Sequence, residues 1–184
     1  MHRDIDRVLI SQFQIGARVR ELASQIIRDY ADEGADGDIT IVPILTGAMI
    51  FCGDLIRQIP IRMRIGLLAV SSYPGASIQT QGSKVLSQQL GDIKDHKVLL
   101  VDDILDSGGT VRLIVPMLRS LGARSVKTCV LLRKDRPSAK QTTVEYVGFE
   151  IPDEFVVGYG LDYNNYYRNL PDIVTLRPEL IGGQ

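Results

Sequence analysis

The sequence predicts an α/β protein built on an open, mostly parallel β-sheet with helices on both faces. Three observations carry that reading. Short apolar runs at Ile39–Leu45, Arg64–Ser71, Val98–Val101 and Ser125–Leu132 suit strands buried on both faces. Stretches with helical spacing separate several of them, which implies right-handed crossovers and parallel pairing. Two strands pass into helices through glycine turns, Thr46-Gly47-Ala48 and Asp106-Ser107-Gly108-Gly109-Thr110.

The totals suit a single domain spanning residues 1–184, long enough to bury a proper core. With 21 basic and 22 acidic residues, the chain lacks the charge excess of a nucleic-acid binder. No apolar run reaches membrane-spanning length, and the first residues lack the apolar stretch of a secretory signal. Cys52 and Cys129 lie in apolar surroundings and read as reduced core residues. His2 and His96 are too isolated to suggest a metal cluster. A soluble, cytoplasmic protein without nucleic-acid or membrane partners is expected.

Taken in order, Val8-Leu9-Ile10 suits a short strand. Ser11 can cap a long helix whose stripe is Phe13, Ile15, Val19, Leu22, Ile26 and Ile27, ending near Gly34. The strand at Ile39–Leu45 carries Pro43, which cannot donate to a ladder. A helix to about Gln58 follows, then the strand at Arg64–Ser71. Ser72–Gly91 is polar, with three glycines and a proline, and is long for a plain connection. It reads as a mobile loop or a hairpin returning along Ser83–Leu90. Val111, Leu113, Ile114, Met117, Leu118 and Leu121 then mark a helix closed by Gly122. Ser125–Leu132 delivers Arg133-Lys134-Asp135-Arg136-Pro137 to its carboxyl end. Ile173–Leu176 suits a final strand.

The informative stretch is Lys97–Thr110, KVLLVDDILDSGGT. A helix mouth attracts anions because its first amides lack partners and the dipole is positive there. Gly108 and Gly109 allow close backbone approach, and Ser107 and Thr110 add hydroxyls. Asp102, Asp103 and Asp106 stand beside this mouth. Two unit charges about 5 Å apart interact by roughly 3 kcal/mol at an effective dielectric near 20. A divalent cation, or sugar hydroxyls donating to the acids, must come between them and a phosphate. A phosphorylated, metal-bound sugar meets all of these demands.

VLLVDDILDSGGT resembles the phosphoribosyl-diphosphate (PRPP) motif of type I phosphoribosyltransferases, and Val147–Arg168, VGFEIPDEFVVGYGLDYNNYYR, resembles the hypoxanthine-guanine members of the purine branch. The resemblance runs from about Ile39 onward. It implies the type I phosphoribosyltransferase fold, with a core at about 35–145 and a small hood from the N-terminal segment and about 146–184. It also implies a purine-salvage activity: transfer of the 5-phosphoribosyl group from PRPP to hypoxanthine, and to guanine, with Mg2+ assistance.

Roles follow from the matching positions. Asp106 would be the general base. Asp102 and Asp103 would hold the ribose hydroxyls and metal, and Ser107, Gly108, Gly109 and Thr110 the 5′-phosphate. Thr46 and Gly47 would meet the diphosphate through backbone alone, since Thr46 stands where the family often has lysine. Arg168 would also reach the diphosphate. Lys134 would donate to the purine's exocyclic oxygen, Phe155 stack on its face and the Val156 backbone meet its edge. Asp162 would border the purine and hold a second metal. Ser72-Tyr73 would belong to the closing lid. The family assembles as homodimers or homotetramers. Two other readings stand beside this one: a xanthine-preferring transferase, and a PRPP-sensing RNA-binding regulator. The charge balance, and an aspartate at 106 that such regulators commonly lack, weigh against the regulator.

Overall fold

The computed structural model describes residues 3–31, 39–71 and 84–181. Its elements are β1 (Ile5–Ile10), α1 (Gln12–Ala31), β2 (Ile39–Leu45), α2 (Met49–Ile56), β3 (Met63–Ile65), β4 (Leu67–Ser71) and β5 (Lys84–Gln89). There follow β6 (Lys97–Leu105), α3 (Gly109–Ser120), β7 (Ser125–Lys134), α4 (Pro137–Lys140), β8 (Tyr146–Ile151), β9 (Val156–Val157), β10 (Ile173–Leu176) and α5 (Pro178–Ile181).

The large sheet has the order β5-β4-β2-β6-β7-β8, with β3 also paired to β2. All pairings are parallel except β4 with β5. Alternation along β6 explains the helices on both faces. Leu99 and Val101 join the cluster of α1 and α2, with Phe51 and Leu22. Val98 and Leu100 point the other way, onto Ile114 and Leu118 of α3. Each fully buried leucine of this strand contributes about 1.5–3 kcal/mol. A second sheet of three antiparallel strands, β1-β10-β9, stands apart from the first.

From β2 the chain moves outward to β4, whereas from β6 it moves the opposite way to β7 and β8. The strand order therefore reverses between β2 and β6. The crevice beyond their carboxyl ends is where such sheets take ligands.

The long helix begins at a capping box. Ser11 N–H donates to Gln14 Oε1 at 2.9 Å, and Gln14 N–H faces Ser11 Oγ at 3.4 Å. Phe13 does not belong to the buried stripe: it is 81% exposed. It lies two residues before Ile15, about 200° around the helix.

Other boundaries differ too. The single strand expected at Arg64–Ser71 is two, broken at Gly66, which lies against Leu90 and donates to Ile41 O. The central strand runs to Leu105, so Asp102 and Asp103 are strand residues; pairing with β7 continues to Leu105–Arg133. The helix after the glycine turn starts at Gly109 and contains Pro116. Tyr146–Ile151 pairs with β7 in the large sheet, and the next strand, Val156–Val157, pairs with β10 in the small one. The hairpin return strand and the strand at Ile173–Leu176 are both present.

Candidate active site

The acidic pair closes the floor of the crevice. Asp102 is buried and Asp103 half-buried. Asp103 N–H donates to Asp102 Oδ1 at 3.0 Å, and Ile104 N–H to Asp103 Oδ1 at 2.9 Å. Burial, followed by the Asp103 charge, pushes the Asp102 carboxyl well above its ordinary range. Burial also raises Asp103, while hydrogen bonds and the Arg168 charge oppose it. The pair thus resists carrying two negative charges unless a cation or donor arrives. Gly47 makes room for it: a Cβ there would lie 1.9 Å from Asp103 Oδ2. The Leu45–Thr46 peptide bond is cis, and Thr46 is exposed at the crevice.

Beyond the acids, the chain turns through Ser107 and Gly108 into α3. Gly108 has φ +76°, and a Cβ on it would lie 2.0 Å from Thr142 Oγ1. Only glycine fits both demands. Gly109 N–H faces Ser107 Oγ at 3.4 Å, and Arg112 N–H closes the first turn on Gly108 O at 3.0 Å. Thr142 supports the turn from behind, accepting from Arg112 Nη1 at 2.9 Å and donating to Ser138 O at 3.0 Å.

Four charges meet beside this mouth. Lys134, the last residue of β7, has Nζ 3.4 Å from Asp106 Oδ2 and 3.5 Å from Asp153 Oδ1. Arg136 has Nη1 2.6 Å from Asp106 Oδ1 and Nε 2.5 Å from Asp153 Oδ2. Lys134 is 8% exposed, although the acids beside it are much more open. The hydrogen bond from Arg136 holds the Asp153 carboxyl below its usual range. Arg136 and Asp153 are absent from the residues singled out in the sequence. Register explains their meeting: Lys134 pairs with Ile151, so both strands deliver their ends to one edge.

The third wall comes from the small sheet. Phe155 is 41% exposed and meets the Tyr163 ring edge-on at 5.5 Å. Val156 is buried and lies opposite Thr175. Arg168 donates from Nη1 to Gly160 O at 2.7 Å, and its Nη2 lies 2.7 Å from Asp162 Oδ1. Asp162 also accepts the Asn165 N–H at 2.8 Å. Tyr159 OH donates to Asp54 Oδ2 at 2.7 Å, tying this wall to α2. The structure therefore brings Asp103, Gly47 and Arg168 to one part of the crevice and Asp106 with Lys134 to another. Asp162 is engaged by Arg168. Among the described residues, no three His, Cys, Asp or Glu side chains form a metal cage. Ser72 and Tyr73 lie outside the described residues.

A phosphate-attracting helix mouth beside acids at a sheet's switch point is the arrangement expected for phosphoribosyl transfer, and residues 10–164 match the phosphoribosyl transferase domain. The chain belongs to the phosphoribosyltransferase family. Within it, the chain is 40% identical over 179 residues to the hypoxanthine-guanine phosphoribosyltransferase of Mycobacterium avium, covering 96% of this chain and 88% of that one. The crystal structure of the Staphylococcus aureus hypoxanthine phosphoribosyltransferase is similar at a TM-score of 0.88 and 38% identity, covering 98% of this chain and 96% of that one. A Trypanosoma cruzi hypoxanthine phosphoribosyltransferase variant, complexed with the product IMP, has a TM-score of 0.88 at 33% identity, with 99% and 95% covered.

Proposed function

We propose that this chain transfers the 5-phosphoribosyl group of PRPP to hypoxanthine, and to guanine, as a step of purine salvage. The observation that carries the reading is Asp106 with Lys134 3.4 Å away at the lip of the helix mouth. A carboxylate and an ammonium side by side match one edge of a 6-oxopurine, where a ring nitrogen and the exocyclic oxygen are neighbours.

In the proposed reaction N9, the imidazole nitrogen remote from the exocyclic oxygen, attacks the anomeric carbon as the bond to diphosphate breaks, with inversion, and N7, the nitrogen beside that oxygen, gives up its proton. Asp106 takes the proton of the purine ring. Lys134 donates to the exocyclic oxygen, and adenine is disfavoured because its amino group would face that ammonium. Phe155 stacks on the base, a contact of about 1–3 kcal/mol by analogy with other base–aromatic stacks, while the Val156 backbone meets its edge. Ser107, Gly108, Gly109 and Thr110 hold the 5′-phosphate and so orient the sugar far from the breaking bond. Arg168, with the Thr46–Gly47 backbone, faces the departing diphosphate as a fork donor.

The donor set suits Mg2+. This ion keeps several waters and binds through one or two carboxylates plus substrate oxygens, so an adjacent pair of acids, Asp102 buried and Asp103 half-buried, is appropriate. Asp102 and Asp103 would hold it with the ribose hydroxyls, and Asp162 a second one. When bound, the ion neutralises charge on the diphosphate.

The reading includes a cytoplasmic location, in keeping with the buried free thiols Cys52 and Cys129; burial pushes the Cys52 thiol up to about 11. No helix among the described residues is long and apolar enough to cross a membrane. It also includes a homodimer or homotetramer. Phe13 and Met49 are exposed next to Gln12 and Ile50, which line an open groove of about 370 Å3 between α1 and α2. The test is diphosphate release from PRPP and Mg2+ with hypoxanthine, guanine, xanthine or adenine. Turnover with hypoxanthine is expected; turnover with adenine alone overturns the reading.

A further inference from the structure

The sharing of two cations by Asp106 and Asp153 has no counterpart in the roles assigned above. Each cation touches both acids. Lys134 lies almost midway, at 3.4 and 3.5 Å, and Arg136 divides its fork, Nη1 to Asp106 and Nε to Asp153. The four charges sum to zero. Without Asp153 the same place would hold two cations and one carboxylate, and both cations would close on Asp106.

That matters because Asp106 has to present an oxygen to the purine. Cations that grip a carboxylate compete with the incoming proton for the same lone pairs. The present grip is partial: Asp106 Oδ1 is buried beside Arg136 yet takes no aligned hydrogen bond. Lys134 also has to turn toward the exocyclic oxygen. It is almost fully buried, and a buried ammonium that loses its only counter-charge is costly. Asp153 is the partner it can keep throughout.

We propose that Asp153 is a positioning residue of the transfer: by sharing Lys134 and Arg136 it holds the base and the purine donor together while leaving Asp106 free to act. The proposal rests on the general-base reading of Asp106. Its own content is that charge at position 153, opposite Arg136, sets how tightly the base is held.

The test is steady-state kinetics with hypoxanthine, PRPP and Mg2+ on Asp153→Asn, Asp153→Glu and the double variant Asp153→Asn/Arg136→Gln. Asp153→Asn is expected to lower kcat about tenfold and raise the hypoxanthine KM about tenfold, with the PRPP KM within about twofold. Asp153→Glu recovers most of both. The double variant again balances the charges, one ammonium against one carboxylate, and recovers kcat relative to Asp153→Asn. A merely structural Asp153 predicts the opposite, a double variant worse than the single. That result overturns the proposal, as does Asp153→Asn with wild-type kcat and hypoxanthine KM. Asp106→Asn, measured alongside, separates the two readings. Wild-type turnover there removes the base assignment itself, whatever position 153 does.

Discussion

Gly47 and Gly160 meet backbone to backbone: a Cβ on Gly160 would lie 2.1 Å from the Gly47 carbonyl oxygen, and Gly160 has φ +105°. This contact joins the loop after β2 to the small sheet and sets the width of the crevice. It also stacks three features in sequence, since Gly47 lies against Asp103 and Gly160 O is the acceptor for Arg168. Gly160→Ala is therefore expected to cost about 2–3 kcal/mol, from left-handed strain and the collision together. For a chain of this size that lowers Tm by about 5–10 °C. Thermal unfolding reads it directly; an unchanged Tm means the two loops are not in contact.

The acidic pair predicts a gain in stability at the expense of activity. The folded-state carboxyl of Asp102 is raised by burial and by Asp103. A raised acid leaves full stability below the unfolded carboxylate range, about pH 4. Stability is then lost as pH rises toward the folded value, because the unfolded chain releases its proton first. Asp102→Asn has no such loss, and its amide oxygen can still accept the Asp103 N–H. It should raise Tm at pH 7–8 by about 2–4 °C, roughly 1 kcal/mol. The gain should shrink toward pH 4. Groups with lowered values, such as Asp153, lose stability as pH falls through their folded value, and they do so in both proteins. Equal or lower Tm for the variant at neutral pH contradicts this account, and its turnover should fall.

The roles proposed for Asp106 and Lys134 are separable by kinetics. Asp106→Asn should lower kcat by about 10²–10⁴, the ordinary range for a positioned base, with both KM values close to wild type. Lys134→Ala should raise the hypoxanthine KM well above any change in the PRPP KM. If the PRPP KM suffers more, the purine lies elsewhere than beside Lys134.

These predictions draw on a site only partly readable from the chain. The glycine turn, the acids beside it and the strand ends that frame it follow from local pattern, because burial on both faces leaves unbroken apolar runs. β8 does not: its YVGFEI pattern is buried only at its ends, as suits an edge strand, and it gives no continuous run. The return of Asp153 to Lys134 therefore leaves no local signal, since only the register between β7 and β8 brings the two to one edge. Phe13 departs from the expected stripe for a different reason. It is apolar and near the stripe, but spacing at the first turn places it on the outer side. Ion pairs between distant segments, such as Arg136 with Asp106, leave no mark in periodicity at all.

Arg168 offers the last and most composite test, because its guanidinium serves several neighbours at once. Nη1 donates to Gly160 O, Nη2 lies 2.7 Å from Asp162, and its charge opposes the rise in Asp103. Lysine keeps the charge but not the fork, so it cannot serve Gly160, Asp162 and a diphosphate together. With PRPP and Mg2+ at about 100 times Kd, mass action stabilises the wild type by about 2.7 kcal/mol. That corresponds to a Tm rise of about 5–10 °C. Arg168→Lys should lose most of this rise while its Tm without ligand falls much less, and its PRPP KM should increase about tenfold or more. A ligand-induced shift equal to that of the wild type would place the diphosphate away from Arg168. In that case Asp162 becomes the residue whose partner in the bound state has to be found.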